Sequence, residues 1–332
     1  MRGIIPAHIL GKLNSLLRTL GDNRPLWSHF DLIAGTSTGA LLSLALAAPA
    51  CGLPAEKMEP CPVRESLFGR KVYLEPGTDP SLLEGLYEEK GPEIFPSAFY
   101  AKPLLYPLFS GKYDSLPFEA VLFSWFGDLR LSSLRAPVMA VCYDSRRGSV
   151  RKLSSWEDPE VLIREAALAS SAAPTYFPPK ELDDGAVLID GGIAANNPVL
   201  AAYSEARKLY PDTEEFRILS LSTCVSPLTF TPLTGGVVDW ALPVIRLYGD
   251  ASLEIADETI KAVPGVKYTR IWSEPERPVK LDGASEEDIQ ALKDLAEKTY
   301  RENQAELMAY ARKLSRSPAR LRRGSAAFQP LP

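Results

Sequence analysis

Phe30-Asp31-Leu32-Ile33-Ala34-Gly35-Thr36-Ser37-Thr38-Gly39, followed by the Ala/Leu-rich run from Ala40 to Ala48, is the stretch whose reading decides the fold. Its first five residues have the length and apolar character of a short buried strand, and the closing run has helical composition. Between them, G-x-S-x-G supplies a sharp strand-to-helix turn. Such a turn strains its middle residue and exposes that side chain. Gly35 and Gly39 have no Cβ, so strand and helix are expected to approach closely there. Ser37 would then present its hydroxyl at a helix N-terminus, where unpaired N–H groups and the positive dipole end stabilise an oxyanion. The N–H of Thr38 is the expected donor. A phosphate-binding loop is the rival reading, but no Gly-Lys-Ser/Thr follows.

Outward from this turn, apolar stretches of strand length alternate with helical patterns. Pro137-Val138-Met139-Ala140-Val141-Cys142-Tyr143, Ala186-Val187-Leu188-Ile189 and Arg217-Ile218-Leu219-Ser220-Leu221-Ser222 read as further strands. A helix is expected from Pro198, with Asn197 as its N-cap. Ser285, ahead of Glu286, Glu287 and Asp288, predicts a second that runs to about Leu314. The alternation predicts an α/β fold with a mostly parallel central sheet covered on both faces. Between Ile94 and Tyr113 the chain carries Phe95, Phe99, Tyr100, Tyr106, Phe109 and Tyr113 among Pro96, Pro103 and Pro107. That segment reads either as a flap that meets lipid chains or as a broken connection whose aromatics pack on the body.

A serine nucleophile needs a base. The chain has two histidines, His8 and His29. His29 precedes Ser37 along the expected strand and, at ~3.3 Å per residue, would sit roughly 26 Å away. His8 falls in an expected N-terminal helix and reads as a surface or capping residue. The carboxylate candidate is Asp190, which ends an apolar strand and is followed by Gly191 and Gly192. Ligands of open α/β sheets bind at the carboxyl ends of strands, where Ser37 and Asp190 both belong, and the glycines leave space beside the carboxylate. Taken alone, the same residues fit an Asp-Gly turn without chemistry.

With these residues in view, the chain resembles the patatin-like phospholipases, which use a Ser–Asp dyad. Gly35-Thr36-Ser37-Thr38-Gly39 looks like their elbow, and Asp190-Gly191-Gly192 with Ala195-Asn196-Asn197-Pro198 looks like their Asp-Gly-Gly segment. Ser171-Ala172-Ala173-Pro174-Thr175-Tyr176-Phe177-Pro178 is a third block. Glu93-Ile94-Phe95-Pro96 and Leu281-Asp282-Gly283-Ala284-Ser285 are weaker echoes. The resemblance implies a three-layer α/β/α sandwich, with Ser37 as nucleophile and Asp190 as general base. It implies a serine acyl hydrolase acting on lipid esters, glycerophospholipid or galactolipid, through an acyl-enzyme. Such families open with a strand and the loop Asp-Gly-Gly-Gly-x-Arg-Gly, whose amides form most of the oxyanion hole. Here Met1-Arg2-Gly3 looks like the end of that loop, so Arg2 and Gly3 are read as its remnant and the first strand as missing, through an upstream start or, as the alternative, a real truncation. Two alternatives remain: a catalytically impaired binding or scaffold protein of the same fold, and an effector phospholipase activated by a small ligand.

Composition sets the outer bounds. The 332 residues are 45% apolar and 24% charged, with 29 prolines. That is a globular mixture with many sharp connections, and it excludes a disordered or fibrous chain. A net charge of −5 argues against general nucleic-acid binding. No run reaches the ~18 apolar residues of a membrane span. Arg312, Lys313, Arg316, Arg320, Arg322 and Arg323 have no acid among them. Residues 312–332 therefore read as a basic, disordered tail beside a body of 1–311, suited to peripheral contact with anionic membranes or simply solvated. Cys51, Cys61, Cys142 and Cys224 are scattered and read as free thiols, although Cys51 and Cys61 are close enough to be bridged. With no HExxH and no acidic calcium loop, no metal and no cofactor are expected. The N-terminal apolar run is too short and broken for a signal peptide, which leaves a cytoplasmic location as the expectation.

Overall fold

A computed structural model describes residues 1–49, 61–64, 71–74, 78–96, 111–224, 240, 243–276 and 280–317. The main sheet contains β1 (Ile33–Thr36), β4 (Val138–Asp144), β5 (Ser149–Ser154), β6 (Lys180–Glu181) and β7 (Val187–Asp190). β2 (Cys61–Arg64) pairs antiparallel with β3 (Lys71–Leu74), and β8 (Phe216–Leu221) pairs parallel with β9 (Val266–Ile271). The helices are α1 (Ile4–Thr19), α2 (Thr38–Ala47), α3 (Ser81–Ile94), α4 (Leu116–Phe126), α5 (Ile163–Ser171), α6 (Gly192–Ala195), α7 (Val199–Leu209), α8 (Pro243–Ala262) and α9 (Glu286–Arg316).

β4 is the organising strand. Val138 to Cys142 are all fully buried, as a strand covered on both faces requires. Val138, Ala140 and Cys142 face the main core, and alternation sends Met139 and Val141 to the other side. α2 and α5 pack on each other and on β4, while α6 touches β4 and α7 touches β1. α8 packs on β9, α6 and α7, where Val199, Ala256 and Ile260 make a second small core.

The expected mostly parallel sheet is in fact mixed. β1 runs parallel to β4, but β5 and β7 run antiparallel to β4, and β6 antiparallel to β7. The connections explain this. Residues 145–148 join β4 to β5 and residues 182–186 join β6 to β7, hairpin lengths far below the dozen or so residues a parallel crossover needs. The consequence for the site is direct. β1 climbs alongside β4 until Thr36 lies opposite Val141. β7 descends in the opposite sense until Asp190 lies opposite Cys142. Two strands from opposite directions thus end at adjacent residues of β4. Among the described residues β1 has β4 as its single sheet neighbour.

Several boundaries differ from expectation. β1 begins at Ile33 rather than Phe30 because Leu26–His29 winds into a 3-10 turn. His29 is therefore not on the incoming strand, and the strand-length argument does not describe its position. Pro198 takes the cap position of α7, while the Asn197 Oδ1 accepts the Val199 N–H at 3.2 Å. Ser285 caps α9 as expected, accepting the Asp288 N–H at 3.1 Å. The helix continues to Arg316, so a tail boundary at 312 falls inside it. Leu314 is buried there, and the Arg24 guanidinium donates to the carbonyls of Leu314 and Ser317, which holds the last turn. Residues 318–332 lie outside the described residues, as do Cys51 and the aromatics Phe99, Tyr100, Tyr106 and Phe109.

α1 packs between α3 and α9, and His8 joins all three. Its Nδ1 lies 3.0 Å from a Glu84 oxygen and its Nε2 3.2 Å from a Glu297 oxygen that also meets Lys12 at 3.1 Å. The Glu84 hydrogen bond, opposed by burial and by Lys12, raises the His8 pKa above its ordinary value. A raised folded-state pKa gives stability that is complete below the unfolded value of ~6.5 and is lost as pH rises through the folded value. His8→Gln is therefore expected to lower Tm at about pH 5.5 and to converge with wild type by about pH 9. Thermal melts of both proteins across that range check it, and a gap that widens with pH would contradict the bridge.

Candidate active site

Ser37 links β1 to α2 with φ 56° and ψ −126°, a conformation that L side chains avoid and that costs on the order of 1–3 kcal/mol. Packing and hydrogen bonds hold it. A Cβ on Gly35 would stand 2.1 Å from the Gly39 carbonyl oxygen, so only glycine fits at Gly35. A Cβ on Gly39 would meet nothing within 4 Å. The expectation that both glycines serve close approach is therefore right for Gly35 alone. The Ser37 N–H donates to the Ser170 Oγ at 3.0 Å, and the Ser170 hydroxyl donates to the Val141 carbonyl at 2.6 Å. Thr36 Oγ1 donates to the Ala195 carbonyl at 2.8 Å. Past the turn, Tyr87 donates to the Thr38 carbonyl at 3.2 Å and shares a 2.6 Å hydrogen bond with Thr38 Oγ1.

Asp190 is 6% exposed. Its N–H donates to the Ala172 carbonyl at 2.9 Å, and its Oδ1 accepts the Gly192 N–H at 2.7 Å. The Ser37 side chain faces the same carboxylate and favours its ionised form. Burial pushes the Asp190 pKa up to about 6, against the Ser37 and Gly192 hydrogen bonds and the Arg2 charge, which pull it down. Gly191 is required by its neighbour, since a Cβ there would lie 2.3 Å from the Val141 carbonyl oxygen. A Cβ on Gly192 would come within 3.1 Å of Asp190 Oδ1, so of the two glycines it is Gly192 that leaves room beside the carboxylate. Gly3 presses on the elbow from the other side. A Cβ there would sit 2.2 Å from both Thr38 Oγ1 and the Tyr87 ring.

Ser37 and Thr38 open onto a pocket of about 750 Å³ counted to its open mouth. Leu41, Leu86, Ile94, Phe118 and Leu122 give it an apolar wall. Phe177 packs at tilted angles among Phe95, Tyr113 and Phe118 with ring centroids 5.7–6.0 Å apart. At the rim Asp282 accepts from Tyr113 Oη at 2.7 Å and pairs with Lys112. Among the described residues no group of three or more His, Cys, Asp or Glu side chains is gathered as metal ligands require.

Comparison with known proteins fits this geometry. The profile of the Patatin family, patatin-like phospholipase, matches residues 1–203, a span that contains both Ser37 and Asp190. The chain belongs to the patatin-like phospholipase family. It is 31% identical over 303 residues to Patatin-like protein 2 of Arabidopsis thaliana, covering 79% of this chain and 69% of that one. It is 30% identical over 281 residues to a cGAMP-activated phospholipase of Pseudomonas aeruginosa, covering 81% and 74%. Patatin-like protein 1 of Oryza sativa subsp. indica is 30% identical, and this chain spans 59% of its length. Among solved structures, VipD from Legionella pneumophila overlays on 93% of this chain and 65% of its own, at 11% identity and a TM-score of 0.39.

The patatin-like blocks all converge here. Ile94, Phe95, Ala173, Tyr176, Phe177 and Leu281 line the pocket. The histidines lie elsewhere: His8 in its glutamate bridge, and His29 buried 3.8 Å from Asp22. Burial and the Arg24 charge push the His29 pKa down to about 4. Two residues that sequence reasoning passed over, Ser170 and Tyr87, hold the elbow. The signal for Ser170 was its place directly before the Ser171–Pro178 block; Tyr87 carries no local signal.

Ser170→Ala would leave the Ser37 N–H and the Val141 carbonyl without their shared partner. The expected loss is about 1–3 kcal/mol in urea unfolding, together with lower reactivity of Ser37 as its strained turn relaxes. Unchanged stability and reactivity would show that the bridge does not hold the elbow.

Proposed function

We propose that the protein hydrolyses acyl esters of glycerophospholipids at a membrane surface, with Ser37 as nucleophile and Asp190 as general base. The observation that carries this reading is the pairing of Ser37, which lines an apolar pocket, with the buried Asp190 carboxylate behind it. Asp190 accepts the Ser37 proton as Ser37 Oγ attacks the ester carbonyl. The N–H groups of Thr38 and Gly39, which open α2 and by helix geometry lack an acceptor within it, are the donors assigned to the oxyanion in this mechanism. The lipid alcohol leaves with the proton from Asp190, and the acyl group stays on Ser37. Water deprotonated by Asp190 then attacks that ester and frees the fatty acid. A carboxylate with a pKa of about 6 is a stronger base than an ordinary one and is still about nine-tenths ionised at pH 7.

The apolar wall supports a long acyl chain as the group held beside Ser37. Galactolipid is the alternative head group. The free thiols of Cys142 and Cys224 suit a reducing compartment such as the cytoplasm. No helix among the described residues is long and apolar enough to cross a membrane. A second reading is activation by a small ligand, favoured by the 30% identity to a phospholipase that cGAMP activates.

Fatty-acid release from phosphatidylcholine and galactolipid vesicles tests the proposal, with and without added cGAMP. Ser37→Ala and Asp190→Asn are each expected to lose nearly all release. Wild-type activity should rise with pH through a midpoint near 6 and level off above it, because the base works only when ionised. The His8→Ala, His29→Ala double variant should keep that limb. A folded double variant without activity, beside an active Asp190→Asn, would require a histidine base.

A further inference from the structure

Two adjacent serines close α5, and they are engaged differently. Ser170 Oγ is fully used, accepting from the Ser37 N–H and donating to the Val141 carbonyl. Ser171 Oγ is buried and has no hydrogen-bond partner among the described residues, and Ser171 is one of the residues that line the pocket with Ser37 and Thr38. A buried hydroxyl without a partner costs about 1–3 kcal/mol, and an alanine in the same place would avoid that cost. The other hydroxyls nearest the elbow are already engaged: Ser37 with Asp190, and Thr38 with Tyr87. The flanking backbone is held on both sides. Ser170 is tied to the elbow, and the Ala172 carbonyl receives the Asp190 N–H. Along the chain Ser171 therefore stands between the residue bonded to Ser37 and the residue bonded to Asp190, with a proton that nothing in the described structure receives.

We infer that the Ser171 hydroxyl donates a hydrogen bond to the carbonyl oxygen of the ester bound at Ser37, beside the N–H groups of α2. The inference rests on the acyl-transfer reading of the site. Ser171 forms no covalent bond and keeps its proton throughout. As Ser37 Oγ adds to the carbonyl carbon, the C=O π electrons move onto oxygen, and the hydrogen bond strengthens with the charge. When the tetrahedral species collapses, the electrons return and the alcohol leaves with the proton held by Asp190. A donor fixed in advance favours the charged species over the neutral ester, so it acts on kcat more than on KM.

The test is Ser171→Ala, followed by fatty-acid release, by the rate at which a long-chain fluorophosphonate labels Ser37, and by thermal melting. Expected are a fall of ~10²-fold in kcat, a KM within about twofold of wild type, labelling slowed in parallel, and a Tm equal to or above wild type. Ser171→Thr, which keeps the donor, should label within about tenfold of wild type. Unchanged kcat and labelling in Ser171→Ala would overturn the inference. So would a lowered Tm, which marks a structural hydroxyl, or a threonine variant as slow as the alanine. If wild type labels at Ser37 but releases no fatty acid, the lipid reading fails and the labelling rates still decide the role of Ser171. If Ser37 never labels, both fall together.

Discussion

The site depends on one contact, the hydrogen-bonded link from Val141 through Ser170 to Ser37. Val141 and Cys142 are consecutive residues of the fully buried stretch of β4. One lies opposite the end of β1 and the other opposite the end of β7. A strand buried on both faces cannot slip its register without moving its whole apolar set. The separation of Ser37 from Asp190 is thereby fixed by backbone pairing, before any side chain is considered. Ser170 and Gly191 complete the arrangement from either side of the Val141 carbonyl: one donates to it, and the other must be glycine to approach it.

That backbone framework sustains a strained Ser37. Its positive φ disfavours the turn by on the order of 1–3 kcal/mol, comparable to what one buried hydrogen bond to Ser170 would lose on removal. Neither Gly35, which admits the Gly39 backbone, nor Tyr87, which grips Thr38 twice, would be enough alone to set the hydroxyl's direction. Acting on residues before, at and after Ser37, they leave the turn one arrangement. Preorganisation of this kind is what acyl transfer requires, because donors and base must be in place before charge develops.

Local chemistry was legible in the sequence and long-range pairing was not. G-x-S-x-G announced its turn because glycine, serine and the flanking patterns all act within a few residues, and Ser285 announced the start of α9 for the same reason. Asp190 was reached by a rule for parallel sheets, yet it arrives on an antiparallel strand. What the rule and the structure share is a strand end, while the geometry that matters is the meeting of β1 and β7 on β4. Ser170 and Tyr87 could not be found by pattern. They act 133 and 49 residues away from the elbow in sequence, and nothing in their own neighbourhoods requires a hydroxyl. Gly39 shows the converse, a motif position whose expected packing role is carried by its partner Gly35.

The same physics explains how, in the proposed mechanism, a carboxylate takes a task commonly given to imidazole. An unperturbed histidine titrates near ~6.5 and a carboxylate near ~4. Burial of Asp190 raises its pKa, while Ser37, Gly192 and Arg2 restrain the rise, and the balance falls at about 6. That is within half a unit or so of imidazole's own range. Each restraint is also a piece of the site: the elbow serine, the backbone turn that orients the carboxylate, and a cation beside it. The histidines have been shifted by the same forces acting differently. Burial beside Arg24 takes His29 down to about 4, and Glu84 takes His8 up. A base strength suited to neutral pH is thus a property of the environment at the end of β7, and removing any one restraint would carry Asp190 toward a protonated, unreactive state.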